Sequence, residues 1–222
     1  MRHVALAAGV IVFMILSALP VAAEPTIVGP TGLIVNPTAD VTPADHAWLA
    51  LNFFDNDGNS IWTANVTGSV SDNFEIGAGA VHPDEGDDGI TFFVKWLFAP
   101  EAENWPGGAA GITVTDIAGV NSAQWYAVAS KFFYFGESSS ENASVHGGIS
   151  YVTGDGDDNF EFFGGMDVEI VKNLLAIAEY NSDKSSAFEG FTIGARYYFD
   201  PQFTGQAAMI DGDLHVGASY VF

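Results

Sequence analysis

The 222-residue chain contains no cysteine and only six lysine or arginine residues. Without cysteine, neither disulfide bonds nor thiolate chemistry can belong to the fold or to a site. The six basic residues stand against 28 acidic ones, and the formal net charge of −22 excludes a nucleic-acid partner, because the phosphate backbone is itself anionic. After residue 23 the sequence also lacks any apolar run long enough for a membrane-spanning helix.

Apolar residues are nevertheless abundant: 48% of the chain is hydrophobic, 14% is aromatic, and 25 residues are glycine. Since no long apolar run exists, these residues must be distributed over many short segments. A soluble β-sandwich and a membrane β-barrel both have this property. The positions of the aromatic and charged residues therefore decide between the two folds.

The first 23 residues have the layout of a secretory signal peptide. A basic start (MRH) precedes an apolar stretch that ends near Leu19, and a small-residue site ends at Ala23. We predict cleavage before Glu24 and Sec-type export through the periplasm to the outer membrane. The alternative, a permanent membrane anchor, is disfavoured by the shortness of the apolar stretch and by Pro20.

Residues 24–45 are rich in proline, threonine and glycine, and they are too polar and too broken to span a membrane. The sequence leaves two roles open for them. They are either a periplasmic leader that tethers the rest of the chain, or a plug that folds into the mouth of a barrel.

Residues 46–222 contain twelve segments of about ten residues in which apolar and polar side chains partly alternate. Ten residues suffice for a tilted strand to cross a bilayer, and an even number of strands suits a closed bacterial barrel with both ends in the periplasm. The sequence therefore predicts an all-β fold, a transmembrane antiparallel up-and-down β-barrel of about 12 strands. The predicted strands are approximately 46–55, 60–69, 73–82, 89–98, 109–117, 124–135, 143–153, 159–169, 173–182, 190–199, 203–210 and 213–222.

Aromatic residues cluster near the two ends of these segments, whereas a soluble sandwich would bury them at strand centres. This pattern predicts two aromatic girdles at the membrane interfaces. The outer girdle would contain Trp62, Phe92, Trp125, Phe160, Phe162, Tyr180 and Phe191. The inner girdle would contain Trp48, Phe74, Trp96, Phe132, Tyr134, Tyr197, Phe199, Tyr220 and Phe222.

Alternation also predicts which charged residues face the lumen. If Lys95 points inward, the opposite face of its segment is entirely apolar, as membrane lipid requires. The predicted lumen-lining residues are Glu75, Lys95, Lys131, Glu161, Asp167, Glu169, Glu179 and Arg196. They predict either an ion-pair network that braces and partly plugs the interior, or a selectivity lining that favours cations or neutral sugars.

The chain ends in GASYVF, with Gly217, Tyr220 and Phe222 as its most specific features. This ending resembles the C-terminal strand by which the barrel-assembly machinery recognises outer-membrane proteins. The expected partners are therefore that machinery, the lipid and lipopolysaccharide of the outer membrane, and, as an open alternative, polysaccharide.

No catalytic residue, cofactor or metal ligand is predicted. The acidic loops lack the spacing of an EF-hand, which leaves loose divalent bridging to lipopolysaccharide as an alternative to plain solvated loops. His146 and Ser150, like His215 and Ser219, are four residues apart on one strand and too distant for direct contact, although partners on other strands remain an option.

Three stretches carry a family resemblance. Residues 29–54 contain Thr-Gly-Leu-Ile followed by Pro-Thr-Ala; residues 103–136 contain Trp-Pro, an alternating Gly/Ala strand and Tyr-x-x-x-Ser-Lys; residues 171–183 contain Ala-Glu-Tyr-Asn. These stretches are similar to the YjbH-type outer-membrane β-barrel family, which is associated with exopolysaccharide production and export. The resemblance implies a role in exporting envelope polysaccharide. The second function that we predict for the barrel is passive solute passage. The alternatives are a structural or adhesive barrel with a plugged lumen, and a lipid-modifying enzyme of the outer membrane.

Overall fold

The computed structural model describes residues 24–56, 59–117, 120–135, 142–154, 158–182 and 188–222. The predicted signal peptide, residues 1–23, lies outside the described residues. Within the described ranges no helix has the length and apolarity needed to cross a membrane.

Twelve β-strands follow one another along the chain. They are β1 Ala47–Asn56, β2 Asn59–Ser71, β3 Phe74–Pro83, β4 Gly89–Ala99, β5 Gly107–Ile117, β6 Val120–Tyr134, β7 Asn142–Gly154, β8 Asn159–Val171, β9 Leu174–Asn181, β10 Gly190–Tyr198, β11 Phe203–Ile210 and β12 Asp213–Val221. Each strand pairs antiparallel with its neighbours in sequence, and β1 pairs with β12 to close the sheet into a barrel. The predicted fold class is confirmed.

Strict alternation forms the two faces of the wall. In β4, Thr91, Phe93 and Lys95 are buried in the interior, whereas Phe92 and Val94 are 55% and 43% exposed on the outside. Exposed apolar side chains on this scale suit a surface that faces lipid rather than water. The outward faces of the four strands that carry Glu75, Lys95, Glu161 and Arg196 bear no lysine, arginine, aspartate or glutamate side chain, as alternation predicted.

Two members of the predicted inner girdle lie inside the barrel instead. Trp48 is only 1% exposed, because it alternates in phase with the buried Ala50 and Asn52 of β1. Phe132 is half-buried, and its ring lies 6.2 Å from the imidazole of the buried His146. The other predicted girdle residues are exposed, and all of them except Tyr134, which is in phase with Phe132 at the end of β6, lie on outward faces.

Strand β6 begins at Val120, four residues before its predicted start at 124. Its first residues pair with the end of β5, as in Thr115↔Ser122 and Val114↔Ala123. Alternation does not predict this extension, because a strand that continues beyond the lipid has water on both faces and no reason to alternate.

The C-terminal strand closes the barrel. The register between β1 and β12 runs from Trp48↔Val221 to Phe54↔His215. Backbone hydrogen bonds between Ala47 and Phe222, of 3.0 and 2.9 Å, extend this seam to the last residue of the chain.

A barrel of twelve strands encloses more space than its wall side chains can fill, since eight strands are already enough for a filled interior. Residues 24–42, the plug segment, occupy this space. Isolated bridges Pro25↔Thr31 and Gly32↔Pro37 fold the segment back on itself. Glu24 at its start and Thr42 at its end both contact wall residues near the end of the barrel that carries the C-terminus. The plug segment is therefore a loop inserted from one end, and it does not thread through the barrel.

Candidate functional site

The candidate site is the lumen, where wall side chains bind the backbone of the plug segment. Glu75 of β3 is fully buried and accepts hydrogen bonds from the backbone N–H groups of Thr31 (2.9 Å) and Thr42 (2.8 Å). It also accepts bonds from both threonine hydroxyls, at 2.8 and 3.1 Å. One carboxylate therefore joins the two arms of the loop.

Lys95 lies opposite Glu75 on the neighbouring strand β4. Its Nζ donates to the carbonyl oxygen of Thr31 (2.7 Å) and to the Thr31 hydroxyl (2.6 Å), and it lies 4.0 Å from Glu75 Oε1. A buried ammonium group requires this kind of compensation, because its transfer out of water is costly.

Glu179 of β9 holds the tip of the loop. Its carboxylate accepts hydrogen bonds from three consecutive backbone N–H groups, those of Ile34 (2.9 Å), Val35 (3.1 Å) and Asn36 (2.8 Å). Charge-assisted bonds of this type are stronger than bonds between neutral groups. Glu179 thus substitutes for the strand partner that this part of the backbone lacks.

Arg196 of β10 binds the same turn through the opposite set of groups. Its guanidinium donates to the carbonyl oxygens of Gly32 (3.2 Å) and Leu33 (2.7 Å). Two further bonds, of 3.1 and 2.9 Å, go to the side-chain oxygen of Gln206 on β11. The turn is therefore held by a cation at its carbonyl groups and by an anion at its N–H groups.

The first residue of the plug segment is anchored by its own side chain. The Glu24 carboxylate accepts hydrogen bonds from the hydroxyls of Thr204 on β11 (2.6 Å) and Ser219 on β12. Burial raises the pKa of the Glu24 carboxyl, and the charge of Arg196 and the two hydroxyl donors oppose this shift.

Strand β2 contributes a row of neutral donors on its inward face. Thr63 (3.0 Å) and Asn65 (2.7 Å) donate to the carbonyl oxygen of Ile27, and Thr67 donates to that of Gly29 (2.7 Å). The two-residue spacing places all three side chains on the same face of the strand.

Apolar residues at the tip of the plug segment form a seal with the wall. Ile27, Leu33, Ile34 and Val35 pack among buried wall residues, with Ile61, Phe188 and Tyr198 at the edge of the cluster. The wall members of this seal are Phe54, Leu175, Ile177, Ala208 and Ile210. Several of them, such as Phe54 and Ile210, lie at the ends of strands opposite to the C-terminal end of the barrel. Apolar packing in the lumen therefore extends to the end of the barrel opposite to the C-terminus, although Leu175 lies near the other end.

A smaller polar cluster holds Ala39 of the plug segment. Ala39 N–H donates to the Ser130 hydroxyl oxygen (2.7 Å), and Ser130 lies 2.7 Å from Nδ1 of His146. The other ring nitrogen contacts Asp167 (3.2 Å) and the Ser144 hydroxyl (2.6 Å). The cluster has the residue types of a hydrolase triad, but Ser130 is 2% exposed and covered by Ala39, so a substrate has no access to its hydroxyl. The cluster thus serves as a contact for the plug segment.

The structure places the other predicted lumen residues as follows. Glu161 is buried and accepts a hydrogen bond from Ser150 (3.1 Å), while Asp167 is partly buried in the cluster around His146. Glu169 lies at the end of β8, where it accepts a bond from the backbone N–H of Asn173 (3.0 Å) in the turn to β9.

The prediction that Lys131 lines the lumen is wrong. Ser130 occupies the inward position, so the next residue along β6 points to the other face. Lys131 Nζ binds Glu101 (2.7 Å) and the carbonyl oxygen of Ala102 (2.8 Å) in the connection between β4 and β5. Its role is to fasten that connection to the rim of the wall.

The predicted ion-pair network also needs correction. Within the described ranges, the buried charges of the wall bind mainly the backbone of the plug segment, and the ammonium group of Lys95 comes only to within 4.0 Å of the carboxylate of Glu75 on the neighbouring strand. Sequence reasoning missed Thr63, Asn65, Thr67 and Ser130 as binding residues. The alternating polar residues of β2 were the available signal, since three polar side chains in a row on one face need partners.

The described part of the chain contains no group of three or more His, Cys, Asp or Glu side chains arranged to hold a metal ion.

No protein-family model matches this chain, and no curated protein matches it in sequence. Its structure is similar to that of the KdgM porin, with a TM-score of 0.58, 11% sequence identity, and coverage of 80% of this chain and 99% of that one. The outer membrane protein Omp33 of Acinetobacter baumannii has a TM-score of 0.51 and 9% identity, over 80% of this chain and 96% of Omp33. The NanC porin has a TM-score of 0.52 and 7% identity, over 78% and 98%. At these identities the likeness shows a shared fold, that of outer-membrane β-barrels.

Proposed function

We propose that the protein is an outer-membrane barrel for the passage of hydrophilic solutes and that the plug segment keeps it closed in this conformation. One observation carries the proposal: many hydroxyl and amide side chains are buried on the inner face of the wall behind the plug segment. These residues are Asn52, Thr63, Asn65, Thr67, Thr91, Thr113, Ser130, Ser144, Ser150, Thr192, Thr204 and Ser219. A permanently packed interior would favour apolar residues, because burial of polar groups is costly. A lumen that fills with water does not bear that cost.

The path of the plug segment supports its release. Both of its ends contact the wall near the same end of the barrel, so the loop can withdraw without any strand separating. The residues that join it to β1 include the exposed Pro43 and Asp45, and Asp45 adopts a left-handed backbone conformation with a φ of 64°. An exposed turn at the junction allows the loop to change direction.

Charge in the lumen indicates the class of solute. The buried carboxylates Glu75, Glu161 and Glu179 outnumber the buried cations Lys95 and Arg196. This excess disfavours anions and permits cations or uncharged sugars. We extend the proposal to uncharged envelope polysaccharide, which the resemblance to the YjbH-type family also supports.

Conductance in planar bilayers tests the proposal. The variant Leu33→Ser/Ile34→Ser/Val35→Ser hydrates the apolar seal and should conduct in long-lived, cation-selective steps, whereas the wild type should open rarely. The control adds Ala39→Cys/Ser130→Cys to this variant. Because the chain has no cysteine of its own, oxidation can form only that disulfide, which should abolish conductance until a reductant restores it.

A permanently closed structural barrel is the second candidate, and the apolar seal favours it. Absence of conductance in the folded triple-serine variant would overturn the passage proposal and support this candidate.

The extension to polysaccharide has a separate test, deletion of the gene. Loss of surface polysaccharide with unchanged lipid acylation is expected, and an unchanged amount of polysaccharide would contradict the extension alone.

A further inference from the structure

The seam between β1 and β12 is the junction that turns a sheet into a barrel, and it lies in the part of the wall with the shortest strands. Strands β9 to β12 contain eight or nine residues each, whereas β6, β7 and β8 contain 15, 13 and 13. The β1–β12 register contains seven residue pairs, against 13 between β6 and β7. Fewer ladder bonds hold the barrel together here than on the opposite side.

We propose that the first arm of the plug segment, Glu24–Thr31, acts as a brace that holds this seam closed. Glu24 binds Thr204 of β11 and Ser219 of β12, on one side of the seam. Three residues later, the carbonyl oxygen of Ile27 accepts bonds from β2, beyond the other side. The arm therefore crosses β1 and links strands on the two sides of the seam.

A side-chain network runs parallel to this brace. Asn52 of β1 donates to Thr63 of β2 (3.2 Å) and accepts bonds across the seam from Gln206 of β11 and His215 of β12, each at 3.2 Å. Gln206 in turn accepts bonds from Arg196, whose guanidinium also binds the plug carbonyl groups. Both ends of this network terminate on the plug segment, so the plug and the seam stabilise each other.

Gly217 provides the space for this network. It pairs with Asn52 in the seam, and a Cβ atom at position 217 would lie 2.3 Å from Asn52 Oδ1 and 3.1 Å from Gln206 Nε2. Any larger residue would displace the amide that crosses the seam. The glycine of the C-terminal motif thus has a role in the lumen in addition to its predicted place in the assembly signal.

The brace differs from the remaining plug contacts in its position. Ser130, which holds Ala39, lies on β6, on the far side of the barrel from the seam. A variant at Ser130 therefore weakens the plug without touching the brace. Comparing variants of the brace with a variant at Ser130 therefore distinguishes a role in closing the seam from a general contribution of the plug segment to stability.

Hydrogen–deuterium exchange of the folded protein in lipid nanodiscs, read by mass spectrometry, tests the proposal. Glu24→Ala/Thr67→Val removes brace contacts on both sides of the seam and should increase the exchange rate of β1 and β12 amides by about tenfold, with β6 and β7 unchanged. The matched control Ser130→Ala should leave β1 and β12 at the wild-type rate. Equal increases in all strands, or no increase at the seam, would overturn the proposal.

If the brace variant does not fold, cysteine pairs keep the proposal testable. Leu51 and Ala218 face each other across the seam, and Val94 and Ile112 face each other between β4 and β5. Oxidised Leu51→Cys/Ala218→Cys should restore folding of the brace variant, and oxidised Val94→Cys/Ile112→Cys should not. Equal rescue by both pairs, or by neither, would contradict a role at the seam. Neither experiment depends on whether the barrel conducts.

Discussion

The barrel wall and the plug segment satisfy their backbone hydrogen bonds in different ways. In the wall, each strand bonds to its neighbours, and the side chains need only be apolar outside and polar inside. In the plug segment, some carbonyl and N–H groups bond to each other, and others bond to particular wall side chains such as Glu75, Glu179 and Arg196. The wall therefore tolerates many sequences with the same alternation, whereas the plug segment depends on single residues.

The difference extends to the meaning of a buried charge. Lys95 and Arg196 are buried in the wall. Both donate hydrogen bonds to neutral carbonyl groups of the plug segment, and these bonds take the place of a complete set of contacts with carboxylates. If the plug segment withdraws, water takes over these bonds, and the charges become a lining. The same residues can thus stabilise a closed lumen and equip an open one.

The largest effect is expected where a charge is added to the lipid face. The variant Val94→Lys puts a second lysine beside Lys95 in the sequence but on the opposite, lipid-facing side of the wall. Because a charge at this position is costly in lipid, the variant should lower the free energy of unfolding by about 2 to 4 kcal/mol. Denaturant titration in lipid vesicles, followed by tryptophan fluorescence, measures this change. Val94→Leu is the control and should cost less than about 1.5 kcal/mol. Wild-type stability of Val94→Lys would show that this face does not meet lipid.

A slightly smaller effect is expected at the tip of the plug segment. Glu179→Leu removes the acceptor of three backbone N–H groups and should cost about 2 to 3 kcal/mol, since each unsatisfied buried donor is expensive. Residues 24–42 should also become sensitive to protease in folded, vesicle-embedded protein. Glu179→Gln keeps one oxygen acceptor and should lie between the leucine variant and the wild type. Equal stability of the two variants would contradict the assigned role of the carboxylate.

Substitutions at two adjacent glycines of β7 compare the space available on the inner and outer faces of one strand. At Gly148 an added Cβ would lie 2.3 Å from the ring of Phe163, which packs beside Ala39, whereas at Gly147 it would meet nothing within 4 Å. Gly148→Ala should therefore cost about 1 to 3 kcal/mol through overpacking, and Gly147→Ala should be close to neutral. The same denaturant titration distinguishes them. A reversed order would place Gly147, not Gly148, on the inner face.

The smallest effect is expected at Lys131, which the structure removes from the lumen. Its bond to Glu101 is partly exposed, so Lys131→Met should cost less than about 1 kcal/mol. In the conducting triple-serine variant, the reversal potential in a salt gradient should not change on adding Lys131→Met. The lumenal control Lys95→Met should shift it toward stronger cation selectivity. A comparable shift in reversal potential from both substitutions would show that Lys131 lines the lumen after all.

Much of the wall could be predicted because its signals are local. Alternation in β4 predicted that Lys95 is lumenal and Phe92 lipid-facing, and the structure buries Lys95 in the interior and exposes Phe92 on the outside of the wall. The same reasoning failed at Trp48 and Lys131, which lie near strand ends. There the environments of the two faces become similar, and parity no longer follows from the character of one residue.

By itself, the sequence determined the strand pattern, the apolar outer face and the closed barrel of twelve strands, because a period of two residues and the demands of lipid act on each segment separately. The tertiary structure alone decided that residues 24–42 fill the lumen. Their partners lie far along the chain, 44 residues away for Thr31 with Glu75 and 195 for Glu24 with Ser219. Contacts between residues so far apart in sequence depend on where the closed barrel places its inward side chains. A local sequence pattern contains no information about those positions.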